Sequence, residues 1–169
     1  WLEGHNYQIF EYDGTNVTMI SNLNSQGQGD GFYVRPHGLV EYGNQLCFVG
    51  HDDATGYELY SYDGTSFSIV SDLDPGTGNG VLSYCNPTVY NGNLYFSGQT
   101  GSGNYNLWEY NGSNVSLTAT VNSTANSGAA GFASDGNLLW LLATTDTTSG
   151  ATLSYDGTTL TDYTSAVGE

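Results

Sequence analysis

Tyr62-Asp63-Gly64-Thr65 is the stretch that decides the fold, because the chain carries four copies of it. The others are Tyr12-Asp13-Gly14-Thr15, Tyr110-Asn111-Gly112-Ser113 and Tyr155-Asp156-Gly157-Thr158. Asp-Gly or Asn-Gly between apolar stretches supplies the two positive-φ positions of a type I′ turn, so each copy is predicted to be the tip of a β-hairpin. A strand-rich repeat of about 45 to 50 residues predicts a propeller-like array.

A second hairpin is predicted in each repeat. Residues 42–50 match residues 90–98, and residues 135–140 follow the same path, which places Trp140 in register with Phe48 and Phe96. With this hairpin each unit has four antiparallel strands, the composition of one propeller blade. Residues 66–70 alternate as half-buried strands do, and no segment has a helical period, so the predicted fold class is all-β.

The predicted domain is a single β-propeller segment over residues 1–169. A partial blade is expected at about residues 1–23, with full blades at about 35–72, 84–121 and 129–163. Trp1-Leu2 is predicted to lie on the second strand of the partial blade, so this sequence does not contain that blade's inner strand. The sequence indicates a segment of a larger propeller, or a unit whose missing strand comes from another chain. A four-bladed ring closed by the tail is the less favoured arrangement.

Composition limits the classes of function. Among 169 residues, Arg35 is the single Lys or Arg against 17 carboxylates, which gives a formal net charge of -16. Such a charge repels phosphate backbones, so we expect no nucleic-acid partner. No apolar run approaches the length of about 18 residues of a membrane span, so we expect no membrane insertion.

An extracellular location is predicted, because Gly, Ser, Thr and Asn supply most of the polarity, as in secreted microbial proteins. The first five residues lack the basic start and apolar centre of a secretory signal, so we expect the natural N-terminus to lie elsewhere. Four asparagines fit the N-glycosylation pattern, although a chain rich in Asn, Ser and Thr contains such matches by chance: Asn16, Asn111, Asn114 and Asn122. Cys47 and Cys85 either form one disulfide or are two small buried apolar residues.

Candidate catalytic groups are few. His51-Asp52-Asp53 places an imidazole beside two carboxylates, but in a loop where polar residues are ordinary. The Asp-x-Asp-x-Gly spacing at residues 72–76 resembles part of a calcium loop without its third ligand or closing Glu. His5 and His37 have no partner at ligand spacing. We therefore predict no catalytic residue, no metal site and no cofactor.

Aromatic and turn residues are expected to be mainly structural. The recurring turn residues Asp13, Asp63 and Asp156 are predicted to cap their own hairpins. Most tyrosines alternate within strands and are expected to pack between blades. If a ligand binds, the first candidates to contact it are four tyrosines in or beside loops, Tyr33, Tyr57, Tyr84 and Tyr105.

Residues 58–65, 69–76, 86–87 and 91–98 resemble the repeat of microbial surface β-propellers named for their Glu-Leu-Trp-x-x-Asp-Gly-Thr motif. Residues 106–113 restate that motif with Asn in place of Asp. The fourth unit is also similar to kelch-like propellers on archaeal cell surfaces. The resemblance implies a large secreted or surface-attached protein and supplies no catalytic residues.

The predicted function is that of a non-enzymatic extracellular module for cell-surface adhesion or structural assembly. Its expected partners are other protein chains or copies of itself, with surface glycans as a further candidate. The alternatives are a glycan-binding lectin and a propeller enzyme acting on glycans. An enzyme should carry carboxylates or histidine on its inner strands, whereas Thr88-Val89 and residues 131–133 are uncharged.

Overall fold

The computed structural model describes residues 9–21, 38–52, 54–101, 103–124 and 128–164. A two-stranded sheet consists of β1 (Phe10–Tyr12) and β2 (Val17–Met19). The next sheet consists of β3 (Val40–Tyr42), β4 (Gln45–Asp52), β5 (Gly56–Tyr62) and β6 (Phe67–Ser71). It is followed by β7 (Thr88–Tyr90), β8 (Asn93–Gly98), β9 (Asn106–Tyr110) and β10 (Val115–Ala119). The last sheet consists of β11 (Ala129–Ser134), β12 (Leu139–Ala143), β13 (Ala151–Tyr155) and β14 (Leu160–Asp162).

Each four-stranded sheet is an antiparallel meander in chain order, which is the topology of a propeller blade. The predicted all-β fold of four-stranded blades is confirmed, and the described residues contain no α-helix. We call the β1–β2 hairpin the first blade and the sheets that follow it the second, third and fourth blades. The strand predicted at Trp1-Leu2 lies outside the described residues.

Blades pack face to face along the chain. The inner strand β7 contacts both β3 and β11, so the three inner strands lie side by side. Phe48 and Tyr60, on the face of the second blade that meets the first, are buried together with Ile9. Cys47 and Val49, on the opposite face, belong to the larger core shared with the third and fourth blades. We call the face toward the preceding blade the leading face and the other the trailing face.

The four repeated phrases are hairpin tips, as predicted, but their turn type differs from the prediction. In each, the backbone N–H of the Asp or Asn donates to the carbonyl three residues on, and only the glycine has a positive φ. Asp63 Oδ1 also accepts the N–H groups of Thr65 and Ser66, both at 2.8 Å. Asp13, Asn111 and Asp156 cap their turns in the same way. The type I′ prediction is wrong because the loop has four residues and a side-chain acceptor, so one left-handed position suffices.

The predicted register of Trp140 is also wrong. Phe48 pairs with Tyr60 and Phe96 with Trp108, and the fourth-blade residue at this position is Leu141, paired with Leu153. The turn before Phe96 contains only Asn91 and Gly92, with φ of 48° and 80°. The corresponding turn of the fourth blade spans residues 135–138, closed by Asp135 N–H to the Leu138 carbonyl. Because side chains alternate across a strand, the longer turn moves Trp140 to the trailing face.

Candidate functional site

The interfaces between blades bury their trailing faces. Val49 of the second blade is 3% exposed, and Ser97, at the same position in the third blade, is fully buried. The Ser97 hydroxyl donates to the carbonyl of Ala129 in the fourth blade. The Tyr95 ring, also on the trailing face of the third blade, lies 5.9 Å from that of Tyr155. An interior trailing face is therefore covered by the blade that follows it.

The trailing face of the fourth blade is uncovered. Leu142 occupies the position of Val49 and Ser97, since it pairs with Thr152 as they pair with Leu59 and Leu107, yet it is 60% exposed. Beside it, the Trp140 indole N–H donates to Asp135 Oδ2 at 2.9 Å, and the ring lies 5.5 Å from that of Tyr163. A groove of about 200 Å³ lies beside the inner strand of this blade, and its lining includes Asn86, Phe132, Ala133, Trp140, Leu141 and Leu142.

The leading face of the first blade is uncovered in the same sense. Phe10 and Tyr12 are 55% and 66% exposed, although Tyr60 and Tyr155, at the corresponding strand positions of other blades, are each 7% exposed. The other side of this hairpin is occupied, because Ile9 is buried against the second blade. Exposed apolar residues therefore lie on the outward faces at both ends of the described array.

A backbone anchor fixes the loop that leaves the second blade. The Glu58 carboxylate is buried, and it accepts the Gly80 N–H at 2.7 Å and the Leu73 N–H at 3.2 Å. Burial raises its pKa from 4.5 to about 7, against the opposing effect of those two hydrogen bonds. Asn106 is its counterpart in the third blade, where Oδ1 accepts the Val121 N–H at 2.7 Å.

The role of Glu58 was not predicted from the sequence. The available signal was a polar acceptor immediately before Leu59 and again before Leu107. The Glu58 carboxylate fixes the conformation of residues 72–80 through their backbone N–H groups. The loop therefore has a structural role that requires no bound ion. Within the described ranges, no group of three or more His, Cys, Asp or Glu side chains could hold a metal ion.

Other predicted site residues are dispersed. The His51 ring packs against that of Tyr57 at 4.7 Å, and Asp53 lies outside the described residues, as do His5, His37 and Tyr33. Tyr84 is exposed, and the hydroxyl of the half-buried Tyr105 donates to the Asn79 carbonyl at 3.3 Å. The inner strand β3 carries the exposed carboxylate of Glu41, so the absence of charge at Thr88-Val89 and residues 131–133 does not extend to every inner strand.

Both cysteines are free and buried in the structure. The Cys85 sulfur accepts the Ser97 N–H at 3.2 Å. Burial raises the pKa of the Cys47 thiol to about 11 and that of Cys85 to about 12. The geometry is that of small apolar side chains in the core, the second of the two interpretations of this pair.

The four glycosylation motifs differ in accessibility. Asn16, Asn111 and Asn114 are exposed. Asn122 is buried, and its Nδ2 donates to the Thr144 carbonyl at 2.9 Å. Attachment of a sugar to this nitrogen would require the surrounding loop to open. Three asparagines are therefore accessible to modification in the folded chain.

Comparison with known proteins supports the fold. No family model and no curated protein matches the sequence. Among solved structures, the chain is similar to "The beta-propeller domain of the Trilobed protease from Pyrococcus furiosus", described there as having an open velcro topology. The TM-score is 0.61 at 18% identity, covering 96% of this chain and 47% of that one, so this chain spans about half the length of its match.

This similarity establishes the fold alone, because the sequence identity is low. The particular microbial repeat family stays a prediction. No helix in the described part of the chain is long and apolar enough to cross a membrane. The chain has the β-propeller fold.

Proposed function

We propose that this chain is a non-enzymatic extracellular β-propeller module that binds other protein chains through its uncovered blade faces, in adhesion or structural assembly. The observation that carries the proposal is the 60% exposure of Leu142, at a position where Val49 and Ser97 are buried. Contiguous exposed apolar surface marks interaction sites in soluble proteins. Phe10 and Tyr12 form a second such surface on the opposite side of the array.

A binding role rather than catalysis is supported by what the carboxylates do. The Asp13, Asp63 and Asp156 carboxylates accept backbone N–H groups of their own turns, and these bonds lower their pKa values. Glu58 is the one carboxylate among the described residues with a strongly raised pKa, and loop N–H groups engage both of its oxygens. These groups have structural partners, which favours a module without a reactive centre.

The extracellular part of the proposal is supported by composition and by accessible modification motifs. One Arg and no Lys against 17 carboxylates gives an acidic surface whose charge is dilute, because Gly, Ser, Thr and Asn dominate its polarity. Asn16, Asn111 and Asn114 are exposed at hairpin tips. These features fit a secreted or surface-attached module.

Intact cells of the source organism provide the test. An antibody against the chain should label unpermeabilised cells, and the purified chain should bind to their surface. Leu142→Asp should weaken that binding by about tenfold or more, because a charge would be buried at the contact. Leu117→Asp is the matched control, since Leu117 is similarly exposed but lies on the outer strand of the third blade. Labelling only after permeabilisation, or equal effects of the two variants, would overturn the proposal.

Glycan binding is the second candidate, favoured by the position of Trp140 beside the groove of about 200 Å³. Aromatic faces provide large, amphipathic contact surfaces. A glycan array probed with the purified chain separates the two functions. Binding lost in Trp140→Ala and kept in Leu117→Asp would favour the lectin interpretation, whereas an array without binding would favour a protein partner.

A further inference from the structure

We infer that the trailing face of the fourth blade binds the leading face of the first blade in a second copy of this chain, with Tyr12 of one copy against Trp140 of the other. This inference rests on the proposed function, because it names the partner of the same surface. The two faces are different patches, so the contact is head to tail.

The interior interfaces provide the template for this contact. In the third and fourth blades the turn tyrosine of the leading face meets an aromatic ring of the preceding blade, as in the Tyr42–Tyr110 and Tyr95–Tyr155 pairs at 5.5 and 5.9 Å. Tyr12 occupies the turn position of Tyr155, and Trp140 occupies the strand position of Tyr95. Docking the two would repeat, between copies, the pairing that each copy already contains.

Copies with a net charge of -16 repel one another, so the contact should bury few carboxylates. On the trailing face the Asp135 carboxylate lies beside Trp140 and accepts its indole N–H, whereas the leading face is apolar. Phe10, Tyr12 and Val17 share one face of the first hairpin, since Tyr12 pairs with Val17. Glu11 alternates to the other face.

The groove supplies a receptor for an aromatic side chain. Aromatic anchors in well-packed pockets dominate the energy of many interfaces. Asn86 lines the groove, and its buried Oδ1 accepts no hydrogen bond from the described residues. On docking, the Tyr12 hydroxyl would exchange its bond to the Gly14 carbonyl for one to Asn86 Oδ1 and so provide the missing donor.

Two head-to-tail contacts can close two copies into a ring. The propeller chain that this chain resembles is about twice as long as the matched part, so a ring of that kind has room for two such arrays. Two head-to-tail contacts around one ring would cover all four end faces. A ring of two chains is therefore the assembly expected.

The experiment is native mass spectrometry with light scattering on the whole chain, from about 1 to 100 µM, a range that detects micromolar association. The wild-type chain and Leu117→Asp should form a species with the mass of two chains. Tyr12→Asp and Leu142→Asp should each remain monomeric. An equimolar mixture of these two variants should form mixed dimers, because each retains the face that the other lacks. Circular dichroism of each variant verifies that it is folded.

Three results would overturn the inference: a wild-type chain that stays monomeric at about 100 µM, an Leu142→Asp variant that assembles as Leu117→Asp does, or a variant mixture without mixed dimers. A folded monomer that still binds cells through Leu142 would reject self-assembly and leave the proposed function standing. A dimer that never reaches the cell surface would reject the proposed function alone.

Discussion

The Tyr90 hydroxyl donates a hydrogen bond of 2.8 Å to the carbonyl of Asn137, which lies in the first turn of the next blade. Tyr42 makes the same bond one blade earlier, to the Gly92 carbonyl at 3.0 Å. Both tyrosines end an inner strand. In the fourth blade that strand ends at Ser134, whose Oγ accepts the Gly136 N–H of its own turn. The bond from blade to blade therefore stops at the face that is uncovered.

Tyr90→Phe should lower the free energy of unfolding by about 1 kcal/mol, because it removes this inter-blade bond while keeping the packed ring. Urea denaturation at a protein concentration where the chain is monomeric measures the change. Tyr12→Phe is the control, since the exposed Tyr12 hydroxyl donates to the Gly14 carbonyl of its own turn and not to another blade among the described residues. Equal effects of the two substitutions would mean that the bond does not couple the blades.

Glu58→Ala should destabilise the chain by about 2–4 kcal/mol, because it leaves the Gly80 and Leu73 N–H groups without their acceptor. The loop of residues 72–80 should also become accessible to proteases. Glu11→Ala removes the same charge from an exposed strand position and should have little effect. A Glu58 variant as stable as the Glu11 variant would show that the carboxylate does not hold the loop.

Acidification from pH 7 to about 4.5 should stabilise the wild-type chain relative to Glu58→Gln, on the order of 2 kcal/mol. The folded pKa of Glu58 is about 7 against 4.5 for the free group. The folded chain therefore holds a proton that the unfolded chain has released. That contribution is fully present below pH 4.5 and is lost as the pH rises through about 7.

Urea midpoints of both proteins at the two pH values measure the effect. The opposite trend should appear at lower pH, because hydrogen bonds in the turns hold the pKa values of Asp63 and Asp156 below 3.8. Their contribution is present above that value and is lost on further acidification. A constant difference between wild type and Glu58→Gln at both pH values would mean that Glu58 keeps an ordinary pKa in the fold.

Most of the fold was predicted from the four repeated tetrapeptides. Tyr62-Asp63-Gly64-Thr65 and its copies place a hairpin tip in every blade, and alternation along residues 66–70 marks a strand, because both signals are local. The turn type was predicted wrongly because the Asp63 side chain, rather than the backbone alone, accepts the N–H groups of the turn. The same tetrapeptide is compatible with a two-residue loop and with a four-residue loop, so the sequence alone does not distinguish the two turn types.

The candidate site was missed for a different reason. Trp140 was placed in register with Phe48 and Phe96 by matching its turn to that of residues 90–93, and the longer turn of residues 135–138 reverses the alternation. Leu142 has the composition of a core residue, and only the arrangement of whole blades leaves it exposed. Exposure of this kind depends on which neighbour is present, so it cannot be read from the residue itself.

Cys47 and Cys85 should both be thiols that react only when the chain unfolds. Burial raises both pKa values, to about 11 and about 12, so neither is a thiolate near neutral pH, and thiolate is the reactive form. Titration with a thiol reagent under native conditions should give almost no reaction. The same titration in denaturant without reductant should give both thiols of the chain. Absence of reaction in denaturant would instead establish the disulfide, and rapid reaction of the native protein would mean that the core around Ser97 opens readily.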